Sequence, residues 1–291
     1  VTRVVALGGG HGLAATLAAV RRYADDVCAI VSVADDGGSS GRLRAAFGIA
    51  PPGDLRKCLV ALADPHSMWT RAFEHRFDAG DLAGHAFGNL VLTGLAASTG
   101  DFEAALAEAG RLLGAVGRVI PATTEPVVLK AEVRTSFGGR GNPITGQVAV
   151  ASAEGIAGVS LVPADARPPE AALAALARAD QVVLGPGSLF TSVLAVVAVT
   201  GLRDALATTP GRKVYVCNLR PQLPETAGYD VAAHVDALRA HGLDVDVILC
   251  HPGSPARGRL GIECVERPVA RSDGLGHDPA LLGAALAELV G

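Results

Sequence analysis

Apolar positions along the chain follow two rhythms. Short unbroken runs occur at "RVVALGG" from residue 3, "VCAIVSVAD" from 27 and "DQVVLGPGS" from 180. "KVYVCNL" from 213 and "VDVILCHP" from 245 are of the same kind. A strand without polar alternation is buried on both faces, as strands of a helix-covered parallel sheet are. Between and around these runs lie segments with helical spacing: "LAATLAAVRRY", "DLRKCLVALA", "HAFGNLVLTGLAAS", "DFEAALAEAGRLLG", "PEAALAALARA", "GLRDALATT" and "HVDALRAHG". The alternation predicts an α/β fold, a parallel sheet flanked by crossover helices. Residues 127–163 break the rhythm, with short β-like runs joined by Gly-, Asn- and Pro-rich turns and no helix between them. They are expected to form a small antiparallel β insertion. No repeat or low-complexity linker divides the chain, so residues 1–291 are expected to be one domain.

Composition narrows the picture. Apolar residues make up 49% but aromatics only 4%, so the core must be built from Ala, Val and Leu. A net charge of −4 with no long run of either sign argues against a general nucleic-acid or anionic-membrane binder. The 5 cysteines show no CxxC spacing, which speaks against a disulfide framework or zinc knuckle. Cys28, Cys217 and Cys250 lie in apolar runs and are expected in the core. The most apolar later stretch, "SLFTSVLAVVAVTGL", is below the roughly 20 residues of a spanning helix. With no signal-type segment before the first strand, a cytoplasmic protein without membrane insertion is expected.

The chemistry concentrates where strands end. Gly8, Gly9, Gly10 and Gly12 stand between the first strand and the first helix. Such glycines expose bare backbone, and the helix start adds unpaired N–H groups and partial positive charge, which suits phosphate or pyrophosphate. Leu13 replaces the third glycine of G-x-G-x-x-G, and no P-loop pattern is present. The second strand ends in "ADDGGSSGRLRAAFG", where Asp35 and Asp36 lie about 20 positions on, the distance of a ribose-binding acid in dinucleotide folds. Two adjacent aspartates also suit Mg²⁺ against a pyrophosphate. Gly37, Gly38, Ser39, Ser40 and Gly41 add small donors. A third loop carries Gly185, Pro186, Gly187 and Ser188, and a fourth strand end supplies Asn218 and Arg220. Loops at the carboxyl ends of parallel strands converge on one cleft.

Taken together, "GGGHGL", "VADDGGSSGRLR", "PPGDLRKCLVALAD", "GHAFGNL", "GRVIPATTEPV", "GPGSLFTS" and "CNL…ET.GY" resemble the YvcK family, also called gluconeogenesis factor, within the CofD-like superfamily. The likeness runs from residue 8 to about 230. It implies a Rossmann-like α/β fold that binds UDP-sugars such as UDP-N-acetylglucosamine or UDP-glucose. It also implies a role in cell shape and envelope homeostasis on gluconeogenic carbon sources. A protein partner and homo-oligomerisation are expected with it. On the family's motif positions fall Gly8, Gly9, Gly10, His11, Gly12, Leu13, Asp35, Asp36, Gly37, Gly38, Ser39, Ser40, Gly41, Asn89, Gly185, Pro186, Gly187, Ser188 and Asn218. The CofD relatives pass phospholactate from a guanosine diphosphate-linked donor to a deazaflavin with Mg²⁺, which is the alternative expectation. His11 stands where the family usually has Thr, and "CNLRPQLPET" departs from a Met-Thr-Gln-rich version.

Other residues are weighed against plainer roles. His85 could be a general base, with Asn89 one turn further on, or could simply pack at a helix start. Asp54 is expected to be an N-cap, with a metal or substrate role if Asp35 and Asp36 are near. His75, His234, His241, His251 and His277 show no ligand spacing to one another, and the resemblance fades after about residue 255.

Overall fold

The structure is a computed structural model describing residues 1–134 and 139–291. In chain order the first strands are β1 (Arg3–Gly8), β2 (Asp26–Val31) and β3 (Arg118–Pro121). Next come β4 (Val128–Val133), β5 (Ile144–Thr145) and β6 (Ile156–Val162). The last are β7 (Gln181–Leu184), β8 (Arg212–Val216), β9 (Val247–Cys250) and β10 (Glu263–Glu266). The main sheet has seven parallel strands in the order β10-β9-β8-β7-β1-β2-β3. From β1 the chain builds outward through β2 and β3; from β7 it builds the other way through β8, β9 and β10. The order therefore reverses between β1 and β7, and ligands of open α/β sheets bind at that switch point, beyond the strands' carboxyl ends.

The helices are α1 (Gly10–Val20), α2 (Gly38–Phe47), α3 (Pro52–Leu62), α4 (Met68–Glu74), α5 (Phe87–Thr99) and α6 (Phe102–Leu113). After them come α7 (Gln147–Ala151), α8 (Glu170–Leu176), α9 (Leu194–Val197), α10 (Thr200–Thr208), α11 (Val231–Ala240) and α12 (Pro279–Ala287). A π-helical turn, Leu189–Val193, leads into α9. The unbroken apolar runs behave as their pattern requires: β7 and β9 are buried throughout, and β1 is buried from Val4 to its end. The segment Leu189–Val197 is buried too, so its apolarity is that of a core. Among the described residues no single helix is long and apolar enough to cross a membrane. Cys28, Cys217 and Cys250 are buried free thiols, as their positions in apolar runs imply.

The insertion is an antiparallel sheet of three strands in the order β5-β4-β6, with residues 135–138 of the expected 127–163 segment outside the described residues. One expectation fails within it. The short helix α7 lies between β5 and β6, where the turn-rich pattern predicts none. Its start is held from far away in sequence: the Asp36 carboxylate accepts from the backbone N–H of Gln147 and of Val148, both at 3.0 Å. A cap supplied more than a hundred residues upstream leaves no local signal. Through α7 the small sheet reaches the main one, because α7 packs on the π-helical turn after β7.

Candidate functional site

The loop after β1 is built around close approach. Gly8 and Gly10 have φ of +150° and +63°, conformations that favour glycine. A Cβ on Gly12 would stand 2.1 Å from the carbonyl oxygen of Pro186, so the start of α1 and the loop after β7 touch backbone to backbone. Thr16 ties the same two segments by donating to the Gly185 carbonyl at 2.7 Å. Leu13, the next residue, is fully buried in the core beneath. Among the described residues no side chain caps α1 at Gly9, so the first amides of the helix stay open and carry its partial positive charge.

The loop after β7 is held equally firmly. Asn218, at the end of β8, imitates a strand: its Oδ1 accepts from Gly187 N–H at 2.9 Å and its Nδ2 donates to Gly187 C=O at 2.8 Å. The π-helical turn starts with a filled N-terminus. The buried Glu225 carboxylate accepts from Ser188 Oγ at 2.6 Å, Phe190 N–H at 2.7 Å and Thr191 N–H at 3.2 Å. Burial nevertheless pushes its carboxyl above the ordinary range. Glu225 is the Glu of the "CNL…ET.GY" stretch that carries the family likeness but is not among the candidate site residues named from the sequence; its position beside the helix start gives it this role.

Between these loops and the start of α3 lies a polar cavity of about 430 Å³. Gly9, Gly10, His11, Gly12, Asp35, Gly187 and Ser188 line it, as their strand-end positions predict. Asp54, Lys57, Gln147, Gln222 and Glu225 join them. Asp54 is not the N-cap expected of it; that place is Pro51, and Asp54 sits in the first turn of α3 with Lys57 Nζ at 3.1 Å. Lys57 is the main cause holding His11 below its usual pKa, with desolvation second, so the imidazole is neutral at physiological pH. Asp35 is pushed the other way, chiefly by burial and in part by the negative charge of Asp54. A second cavity of about 590 Å³ adjoins the same backbone: His11, Gly12, Gly187 and Gln222 line both. Pro186 and Asn218 face this second one.

The loop after β2 turns mostly inward. Ser40 Oγ accepts from Gly53 N–H at 3.1 Å, and a Cβ on Gly53 would lie 2.2 Å from that oxygen. Ser39 Oγ accepts from Asn89 Nδ2 at 3.0 Å, leaving its proton for His85 Nδ1, also at 3.0 Å. Arg56 Nε donates to Asn89 Oδ1 at 3.0 Å. Ser39, Ser40, Arg56 and Asn89 are all buried, and His85 serves this network rather than the cavities. Gly37 caps α2, Gly38 has φ +46° with open space around it, and Gly41 packs against the Asp36 backbone. The adjacent aspartates diverge, Asp35 toward the cavity and Asp36 toward α7.

A Mg²⁺ ion fits the donor set here, through Asp35 and Asp54 rather than Asp35 and Asp36. Mg²⁺ is commonly held by one or two carboxylates together with phosphate oxygens. Among the described residues no group of three or more His, Cys, Asp or Glu could hold a metal alone, so phosphate would have to complete the shell.

Comparison with known proteins places these loops in context. The family model described as 2-phospho-L-lactate transferase CofD matches residues 4–263. The gluconeogenesis factor of Bacillus subtilis is 39% identical over 241 residues, covering 82% of this chain and 74% of its own. A relative from Nostoc sp. is 43% identical over 263 residues, covering 89% of this chain, and this chain spans 57% of that relative's length. A crystal structure of a UPF0052-family protein from Bacillus halodurans superposes with a TM-score of 0.91 at 36% identity, covering 98% of each chain.

Proposed function

Because this chain belongs to the gluconeogenesis factor (YvcK) family of CofD-like proteins, we propose that it is a regulatory protein that binds a UDP-sugar in the cleft between β1 and β7. The ligand class is UDP-N-acetylglucosamine or UDP-glucose, and the role is cell-shape and envelope homeostasis on gluconeogenic carbon sources, exerted through a protein partner. The observation that supports this most is the uncapped start of α1 opposite Gly187, with Lys57 close enough to depress His11. That arrangement offers amide donors and a cation to a diphosphate. The ligand-facing set is Gly9 to Gly12, Asp35, Asp54, Lys57, Gly187, Ser188 and Gln222, while Asp36, Ser39, Ser40 and Asn89 shape the walls.

A second reading, transfer of phospholactate from a nucleoside diphosphate to a deazaflavin, is favoured by one feature. Asp35 and Asp54 bring two carboxylates to one cavity, the donor set that a Mg²⁺-bound diphosphate uses. Isothermal titration calorimetry with UDP-N-acetylglucosamine, UDP-glucose, GDP and NAD, each with and without Mg²⁺, separates the two. Saturable UDP-sugar binding with the ligand recovered intact is expected. A preference for GDP with Mg²⁺, and no heat from either UDP-sugar, would sink the first reading.

A further inference from the structure

The two cavities that share the backbone of Gly12 and Gly187 are lined by groups of opposite sign. The polar one carries the carboxylates of Asp35, Asp54 and Glu225 beside the cation of Lys57. The second carries the guanidinium groups of Arg220 and Arg271 and no acid. Among the described residues neither arginine has a carboxylate partner. Asp273 and Asp278 lie in the same stretch as Arg271 but are turned to backbone. Asp273 accepts from Leu275 N–H at 2.8 Å, and Asp278 accepts from Ala280 and Leu281 N–H at 2.8 and 3.0 Å.

Both guanidinium groups stand against one short turn at the edge of this cavity. Arg220 Nη2 donates to the Gly274 carbonyl, which leaves the rest of its fork free. Arg271 lies across Gly276, where a Cβ would stand 3.9 Å from Arg271 Nε, and Gly276 itself lines the cavity. The turn is closed by Arg271 N–H to Gly276 C=O at 2.8 Å and by Gly274 N–H to Arg271 C=O at 2.9 Å. His11 and Gly12, at the start of α1, line the same cavity, so a diphosphate held there would be its neighbour.

The glycine cradle is what this chain shares with its family. His11 and "CNLRPQLPET", which contains Arg220, are where it departs from the family pattern, and both departures line the second cavity. What the cavity recognises is therefore a group outside the diphosphate, and its charge calls for an anion. Uridine is neutral at physiological pH, so in a UDP-sugar that group belongs to the sugar. We infer that the second cavity receives the sugar, and that Arg220 and Arg271 select sugars that bear a carboxylate, the group a guanidinium fork matches best. This rests on the nucleotide-sugar reading above, and the two arginines act as specificity residues within it.

The test is calorimetry on the whole chain with UDP-glucose and UDP-glucuronic acid, which differ only in whether C6 of the sugar is a hydroxymethyl or a carboxylate. UDP-glucuronic acid should bind tighter by about fivefold or more, the gain of a charge-assisted contact at a solvent-accessible site. Arg220 and Arg271 are exposed, so Arg220→Gln and Arg271→Gln remove a charge without opening the core. Each should cut the advantage to about twofold or less and leave UDP-glucose affinity within about twofold. A variant that weakens both probes alike would put its arginine on the diphosphate and overturn the inference. An advantage that survives in either variant would overturn the assignment to that arginine. Equal binding of the two probes by the unmutated chain would overturn the carboxylate preference and leave the UDP-sugar reading standing. Heat from neither probe would overturn both.

Discussion

The loops after β1 and β2 look alike in sequence, each rich in glycine and set between a buried strand and a helix, yet they do opposite work. The first keeps its backbone amides open to the cleft; Gly12 is there because the backbone of the loop after β7 lies against it, and Gly8 and Gly10 because their φ is positive. The second spends its polar groups on other parts of the protein, Ser39 and Ser40 in the interior on Asn89, His85 and Gly53, and Asp36 at the surface on α7. Glycine and serine density at a strand end therefore marks a tightly built corner. Which corner meets the ligand depends on the sheet order, because only the loop after β1 stands at the switch point beside β7.

The largest effect that would expose this contrast is expected from Gly12→Val. Its Cβ would collide at 2.1 Å with the Pro186 carbonyl, a backbone atom that cannot step aside without moving the loop after β7. UDP-N-acetylglucosamine affinity should fall beyond detection by calorimetry. In the second loop, Gly38→Ala meets no neighbour and strains only its φ of +46°. It should cost about 1 kcal/mol of stability and leave affinity within about twofold. Equal losses of affinity from both would erase the distinction.

Next in size is Glu225→Ala, which strips the acceptor from the buried Phe190 and Thr191 amides and from Ser188. About 3 kcal/mol of stability should be lost in chemical denaturation, and Glu225→Gln should recover part of it by keeping one carbonyl acceptor. Smaller again are Asn89→Ala and Asp36→Ala. The first leaves the buried Arg56 short of a partner and should cost about 2 kcal/mol. The second uncaps α7 and should cost about 1 kcal/mol. Both should keep UDP-N-acetylglucosamine affinity within about threefold, and a much larger loss would put their side chains in contact with ligand.

The contrast also explains what the amino-acid pattern could disclose. Buried parallel strands carry their signature within each run, so β1, β2, β7, β8 and β9 were legible, whereas the short edge strands β3 and β10 were not. The glycine loops were legible as corners. The division of labour between Asp35 and Asp36 was not, because it depends on α7, which Asp36 itself stabilises from far away in sequence.

The smallest effect is the most specific. Asp35 sits on the boundary between the two behaviours, accepting from Gly37 N–H at 3.0 Å while facing the cavity beside Asp54. Its carboxyl is raised, first by burial and then by Asp54, so the folded chain holds its proton more tightly than the unfolded chain does. A raised carboxyl contributes stability below the ordinary carboxylate range near pH 4, and that contribution is lost as pH rises through the folded value. At pH 7 the ionised group is therefore a net cost. Asp35→Asn should stabilise the ligand-free protein by about 1 kcal/mol at pH 7, with the advantage shrinking as pH is lowered toward 4. The same substitution should abolish any gain in UDP-sugar affinity from Mg²⁺, since an amide is a poorer ligand for a hard cation. Denaturation at several pH values, with calorimetry with and without Mg²⁺, measures both. A variant that is less stable at pH 7 would mean that Asp35, like Asp36, is held for structure alone.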